Sequence, residues 1–250
     1  MKVVPPYPKY PCFRRPTRDL TLLAVDLSTL SYEDDPFIRK TLSTNPNSPF
    51  LLGNILTSGD IQAIVARCKW PCDDPSTSIT FVAFRGTTTL TDWIVDFDFP
   101  LNENGIHRGF YDAAMPLIPT ISEMVNGQRV VFTGHSLGAA LATIAAAMVA
   151  TAKTKELITF GSPRVGNSGF AHRAMDGLFK AKRYVHGEDI VPTVPPDYPE
   201  LGFNFVHVGH EILLKEMPRP WVNIFCPKHI FDHVPTNYCE RCWQMEGAQA

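Results

Sequence analysis

The stretch "VVFTGHSLGAALATIAAAM", residues 130–148, decides how the chain is read. It passes from β-branched and aromatic residues through Gly134-His135-Ser136-Leu137-Gly138 into an alanine-rich tract. That order predicts a strand over 130–133, a very tight turn, and a helix over 137–151. Two roles compete for Ser136. As an N-cap it would accept a hydrogen bond from the first helical turn, a place where serine is favoured. As a nucleophile it would sit on a strained strand-to-helix turn, with Gly134 and Gly138 removing the side chains that would clash there. The helix start would then aim free amides and its positive dipole end at one point, and the Leu137 amide would stabilise an oxyanion. The strand before, the alanine tract after and the two glycines together favour the nucleophile.

Working outward, "IQAIVARCKW" (61–70) and "SITFVAFRG" (78–86) read as strands parted by the turn-rich "PCDDPSTS". Helical spacing marks 19–30 and about 109–125. Strand "ELITFG" (156–161), a helix near 168–180 and strand "AKRYVHG" (181–187) follow the alanine tract. "FNFVHVGHEILL" (203–214) reads as two short strands broken at Gly209. Strand and helix alternate through the middle, which predicts the α/β class: a mostly parallel central sheet flanked by helices, in one domain over residues 1–250.

Composition narrows the function classes. The 250 residues are 44% hydrophobic and 19% charged, the balance of a soluble globular protein. A net charge of −2 gives no reason to expect nucleic acid or an anionic membrane as partner. The 22 prolines cluster at both ends and around 192–199, and the opening to Pro16 reads as an arm laid over the surface. "LTLLAV" is too short for a signal-peptide core and is followed by Asp26. The apolar tract Leu137 to Ala150 is shorter than the ~20 residues of a spanning helix. The expectation is therefore no transmembrane segment, in a cytoplasmic protein or in a secreted one whose leader has been removed. Cys226, His229, Cys239 and Cys242 place four soft ligands close together, but their spacing matches no zinc-finger pattern. Free thiols or disulfides are the simpler reading, and neither a metal nor an organic cofactor is expected. Nothing in the sequence fixes an oligomeric state.

A serine nucleophile needs a base, and the base needs an orienting acid. In "RYVHGEDIVPTVPP" (183–196) a strand ends at a glycine turn that delivers Glu188 and Asp189, and Asp189 is favoured. Downstream, His207 alternates with Phe203 and Phe205 and reads as packed, while His210 follows a turn glycine. His229 and His233 sit in "CPKHIFDHVPTNY" (226–238), an irregular segment by this reading. Spacing alone leaves those two level as the base.

With these pieces in hand, the chain resembles the class 3 lipase family, the filamentous-fungal type of triacylglycerol lipase. The resemblance rests on "FVAFRGTTTLTDWIVDFDF" (81–99), "HRGFYDA" (107–113), "VVFTGHSLGAALA" (130–142), "LITFGSPRVGN" (157–167), "GEDIVPTVPP" (187–196) and "FDHVPTNY" (231–238), in the family's order. It implies an α/β-hydrolase fold with a triad of Ser136, Asp189 and His233, and an oxyanion hole shared by Leu137 and Thr87. It also implies a short helical lid in "TLTDWIVDFDFP" (89–100), where Leu90, Trp93, Ile94 and Phe97 fall on one helical face. An ordinary amphipathic helix packed on the core is the alternative for that segment. The implied substrate is a lipid ester such as an acylglycerol, met at an oil–water or membrane interface. A feruloyl-type or short-chain esterase, a phospholipase A1 and a non-catalytic lipid-binding module are the rivals. Two departures stand out. Cysteines surround the base segment, and the part before residue 60 matches poorly, which implies a more open acyl groove if a family helix is trimmed there.

Overall fold

The computed structural model describes residues 12–68, 78–87, 100–198, 200, 203–216 and 228–247. Helices α1 (Leu20–Leu30) and α2 (Asp35–Thr44) precede strands β1 (Phe50–Ser58), β2 (Ile61–Cys68) and β3 (Ile79–Phe84). Then come α3 (Arg108–Ala114), a 3-10 turn (Met115–Leu117), α4 (Ile118–Met124), β4 (Arg129–His135) and α5 (Leu137–Met148). β5 (Thr154–Phe160), α6 (Ser168–Asp176) and β6 (Lys180–His186) continue the alternation. A two-stranded ribbon of β7 (Asp197–Tyr198) and β8 (Phe203–Asn204), then β9 (His210–Leu214), α7 (Lys228–Phe231) and α8 (Pro235–Gly247), complete the described chain.

Seven strands form one sheet in the order β1-β2-β3-β4-β5-β6-β9. β1, β2 and β3 pair antiparallel, and every pair from β3 to β9 is parallel. The parallel run brings the carboxyl ends of β3, β4, β5 and β6 to one edge, where open α/β sheets hold their ligands. Alternation along each strand splits the core in two. Val82, Phe84, Val130 and Phe132 face α3, α4 and α5, whereas Phe81, Ala83, Val131 and Phe160 face α1 and α8. With both faces covered, the central strands read as apolar runs. The alanines of α5 let its backbone lie close on the sheet, and Gly138 to Ala146 are all buried.

The reading over 109–125 as one helix is corrected. Pro116 and Pro119 lack the amide hydrogen that continues a helix, and the segment breaks into α3, a 3-10 turn and α4. The helix after Ser136 ends at Met148 and α6 ends at Asp176, both earlier than their expected bounds. The segment around the base is not irregular. It is helical on both sides of a short turn, through α7 and α8. The poorly matching region before residue 60 supplies α1, α2 and β1, and α1 is buried from Thr21 to Leu30.

A buried acid ties the two ends of the chain together. Asp26, in the middle of α1, is fully buried. Its carboxylate accepts from the Phe13 amide (2.7 Å), the Cys239 thiol (3.0 Å) and the Trp243 indole N–H (3.0 Å). Cys239 and Cys242 of the C-x-x-C are thus buried reduced thiols in the core beside α1, while Cys226 lies outside the described residues. Burial pushes the Asp26 carboxyl up to about 6, against the lowering effect of its three donors. The folded chain therefore holds the Asp26 proton more tightly than the unfolded chain does. That contribution to stability is full below about pH 4 and fades as pH rises through about 6, a loss on the order of 3 kcal/mol. Urea unfolding at pH 4.5 and 7.5 should show wild type losing stability relative to Asp26→Asn as pH rises. Parallel curves for the two proteins would remove Asp26 as the titrating group.

Candidate active site

Ser136 follows the last residue of β4 with φ +60° and ψ −129°. This is a strained conformation for any residue with a side chain, costing about 1–3 kcal/mol. Local contacts hold it there. The Ser136 amide donates to the Phe160 carbonyl of β5 (3.0 Å), and the Ser136 carbonyl accepts from the Ala139 amide (2.9 Å). The turn closes because Gly134 and Gly138 touch backbone to backbone, and Gly138 also lies against the Phe84 carbonyl. Ser136 caps nothing with its side chain, and its Oγ has no hydrogen-bond partner among the described residues.

Asp189 and His233 meet at the same edge of the sheet. His233 Nδ1 lies 2.9 and 2.8 Å from the two carboxylate oxygens of Asp189. A carboxylate only accepts, so Nδ1 carries the hydrogen and Nε2 of the neutral ring keeps a lone pair. His233 Nε2 is buried and, like Ser136 Oγ, has no partner among the described residues. No hydrogen bond joins the two, but the chain brings them close. The His233 ring packs against that of His135, the residue before the serine, with centroids 4.5 Å apart and the planes tilted by 36°. Gly161, which ends β5, packs against Asp189 and the His233 ring, and only a residue without a side chain fits between them at its φ of +55°.

The competing residues point elsewhere. Glu188 turns outward to Lys228 Nζ (2.7 Å). His229 is exposed, and its carbonyl accepts from the Ile190 amide. His207 donates from Nε2 to the Pro192 carbonyl (2.9 Å), and burial followed by the Arg183 and Arg164 charges pushes it down to about 3. His210 lies exposed on β9. Thr87 follows β3, whose Phe84 pairs with Gly134 of β4, so it leaves the sheet at the same edge as Ser136. Leu137 opens α5 directly after the serine. Leu90, Trp93, Ile94 and Phe97 lie outside the described residues.

A supporting layer, which spacing did not reveal, surrounds these groups. Tyr238 Oη donates to Asp189 Oδ2 (2.5 Å) and accepts from the His186 amide (3.0 Å). The Val191 amide donates to Asp189 Oδ1 (2.9 Å). Asp232 accepts from the Glu188 amide (2.8 Å), and its carbonyl accepts from His186 Nδ1 (2.9 Å). Asp232 and Tyr238 thus bind the acid loop to the base loop. Their only trace in the sequence is their place within "FDHVPTNY". Four contacts from three donors, His233, Tyr238 and the Val191 amide, leave the Asp189 carboxylate one orientation.

The elbow yields a stability test. A methyl added at Gly138 would fall inside the Phe84 carbonyl, which is backbone and cannot move aside. Gly138→Ala should cost about 3 kcal/mol, read as a shifted urea midpoint at unchanged slope. A substitution without effect would mean that the turn is looser than described.

Residues 81–198 match the family described as lipase (class 3). The secreted mono- and diacylglycerol lipase 1 of Fusarium solani is 32% identical over 187 residues, 69% of this chain and 53% of that one. A lipase of Rhizomucor miehei is 30% identical over 171 residues, 61% of this chain and 44% of that one. The chain thus spans about half the length of these curated relatives. The solved triacylglyceride lipase structure from Rhizomucor miehei superposes with a TM-score of 0.63 at 23% identity, over 88% of this chain and 95% of that one. The fold is accordingly that of the α/β-hydrolases. Over residues 81–198 the chain is similar to the class 3 lipases, and its similarity to single fungal lipases extends beyond them.

Proposed function

We propose that this protein hydrolyses carboxylic ester bonds of lipids, with acylglycerols as the substrate class, and that the described residues act as one catalytic unit. The observation that carries the reading is a pair of buried atoms at the sheet edge that have no hydrogen-bond partner among the described residues. Ser136 Oγ stands on a strained elbow, and the lone pair of His233 Nε2 stands on a ring whose other nitrogen is fixed by Asp189. Unliganded sites often leave that hydroxyl–imidazole bond long until substrate binds.

In the proposed reaction, Ser136 Oγ attacks the acyl carbon as His233 Nε2 takes its proton. Asp189 steadies the imidazolium that forms without itself being protonated. The amides of Leu137 and Thr87 receive the oxyanion. His233 then hands the proton to the departing alcohol, and an acyl ester remains on Ser136. Water attacks that ester with His233 again as base, which releases the fatty acid and restores the serine. The reading assigns residues 89–100, with Leu90, Trp93, Ile94 and Phe97, the role of a lid at a lipid surface. Among the described residues no helix is long and apolar enough to cross a membrane. Contact with lipid would therefore be made through such a surface.

Ser136→Ala should abolish p-nitrophenol release from medium-chain esters. Asp189→Asn should lower kcat about 10⁴-fold, because an amide favours the wrong imidazole tautomer. Retained turnover in Ser136→Ala would refute the mechanism. Rates on acylglycerol that jump when droplets form support a lipase. Smooth saturation on dissolved short esters would place the protein among esterases instead, and preferential cleavage of phospholipid would make it a phospholipase.

A further inference from the structure

His135, the residue before the serine, is buried and takes no step in the proposed chemistry, yet it touches the base from two directions. Its Nε2 lies 2.7 Å from the backbone carbonyl of His233, and its Nδ1 lies 2.8 Å from Tyr32 Oη. Its ring also packs against the His233 ring at 4.5 Å, tilted by 36°, and meets the Tyr238 ring edge-on at 5.4 Å. A carbonyl can only accept, so Nε2 must carry hydrogen. In a neutral ring Nδ1 then holds a lone pair, and the Tyr32 hydroxyl must be its donor. The two partners together permit a single tautomer.

We propose that His135 is a positioning residue for His233. Its Nε2–H anchors the base's backbone, and Tyr32 fixes the tautomer that makes this anchor possible. The inference rests on the triad reading above. Three features beyond the two hydrogen bonds support it. Tyr32 reaches His135 only because residue 86 is glycine, since its hydroxyl occupies the space where a side chain there would begin. Tyr32 thereby lies against the loop that leads to Thr87, and the oxyanion loop, the nucleophile turn and the base loop share one contact. The bonds also span 103 and 98 residues of sequence, so they join elements that nothing local holds together. Finally, a ring packed 4.5 Å from the proposed base must stay neutral when that base gains its proton. Burial first, and then the neighbouring His233, hold His135 well below the ordinary histidine range. The Tyr32 hydroxyl caps the lone pair where a proton would add.

The test combines spectroscopy with two substitutions of different chemistry. Nitrogen NMR of the imidazole rings in the intact wild-type chain should show His135 neutral and protonated on Nε2 from pH 5 to 9. A charged ring or the Nδ1-protonated tautomer overturns the proposal, whatever any variant does. His135→Leu keeps bulk but loses the donor. It should lower kcat on p-nitrophenyl butyrate, and the rate of capture by a fluorophosphonate, by about 10- to 100-fold with KM within about two-fold. His135→Gln restores an N–H near the Nε2 position and should recover most of that loss. Wild-type kcat in a folded His135→Leu protein, or His135→Gln no better than His135→Leu, would overturn the role. Ser136→Ala separates the two levels of inference. If the fluorophosphonate labels wild type no more than Ser136→Ala, the hydrolase reading fails. If it labels wild type alone and His135→Leu reacts at full rate, only the positioning role fails.

Discussion

The close approach of Gly134 to Gly138 beneath Ser136 is the constraint on which the rest of the site depends. It lets β4 turn into α5 within one residue, and it places that residue in a conformation that side chains rarely adopt. Strain of this kind persists only where the surroundings fix it more firmly than it resists. Here the neighbours are β5, through the Phe160 carbonyl, and β3, through the Phe84 carbonyl against Gly138. The buried central strands β3 and β5 thus hold the serine turn from both sides. The apolar contacts of Phe81, Phe84, Phe132 and Phe160, each worth about 1.5–3 kcal/mol on burial, offset the local cost.

How much of this was legible in the sequence follows the range of the interactions. The elbow is local: strand propensity, two glycines and a helix-forming tract lie within nineteen residues, and the fold class followed from the alternation around them. The proposed acid, Asp189, could be reached from the sequence because a strand, a glycine and two carboxylates in succession leave few candidates. The proposed base was not settled by spacing. His229 and His233 are four residues apart, and only the short helix α7 decides that one faces solvent and the other the sheet edge. β1 went unread because Gly53 and Asn54 resemble a turn, whereas they mark a register shift in an edge strand. Tyr32, Asp232 and Tyr238 were hidden for a different reason. Their partners lie tens of residues away, and no periodicity reports a contact made only after the chain has folded.

The supporting layer also explains how the loop that carries Asp189 and the short turn between α7 and α8 can hold a precise geometry. A loop has few ladder hydrogen bonds, so its shape must come from side chains that reach back to it. Asp232 and Tyr238 do this for the acid loop, and His135 does it for the base. Tyr238 comes from α8, His135 from the end of β4, Tyr32 from the turn that closes α1, and Asp232 from the turn that carries His233 itself.

The foundations of those elements meet at Asp26. It holds Trp243 and Cys239 of α8 against α1, and Tyr238 is the residue before Cys239. The terminal helices are therefore more than a cover for the back of the sheet. They fix the position of the tyrosine that orients Asp189, and through Asp189 the imidazole of His233. The path from Asp26 to the base runs through α8 and two hydrogen bonds, so a disturbance at the back face reaches the site by displacement of Tyr238 rather than through any shared charge.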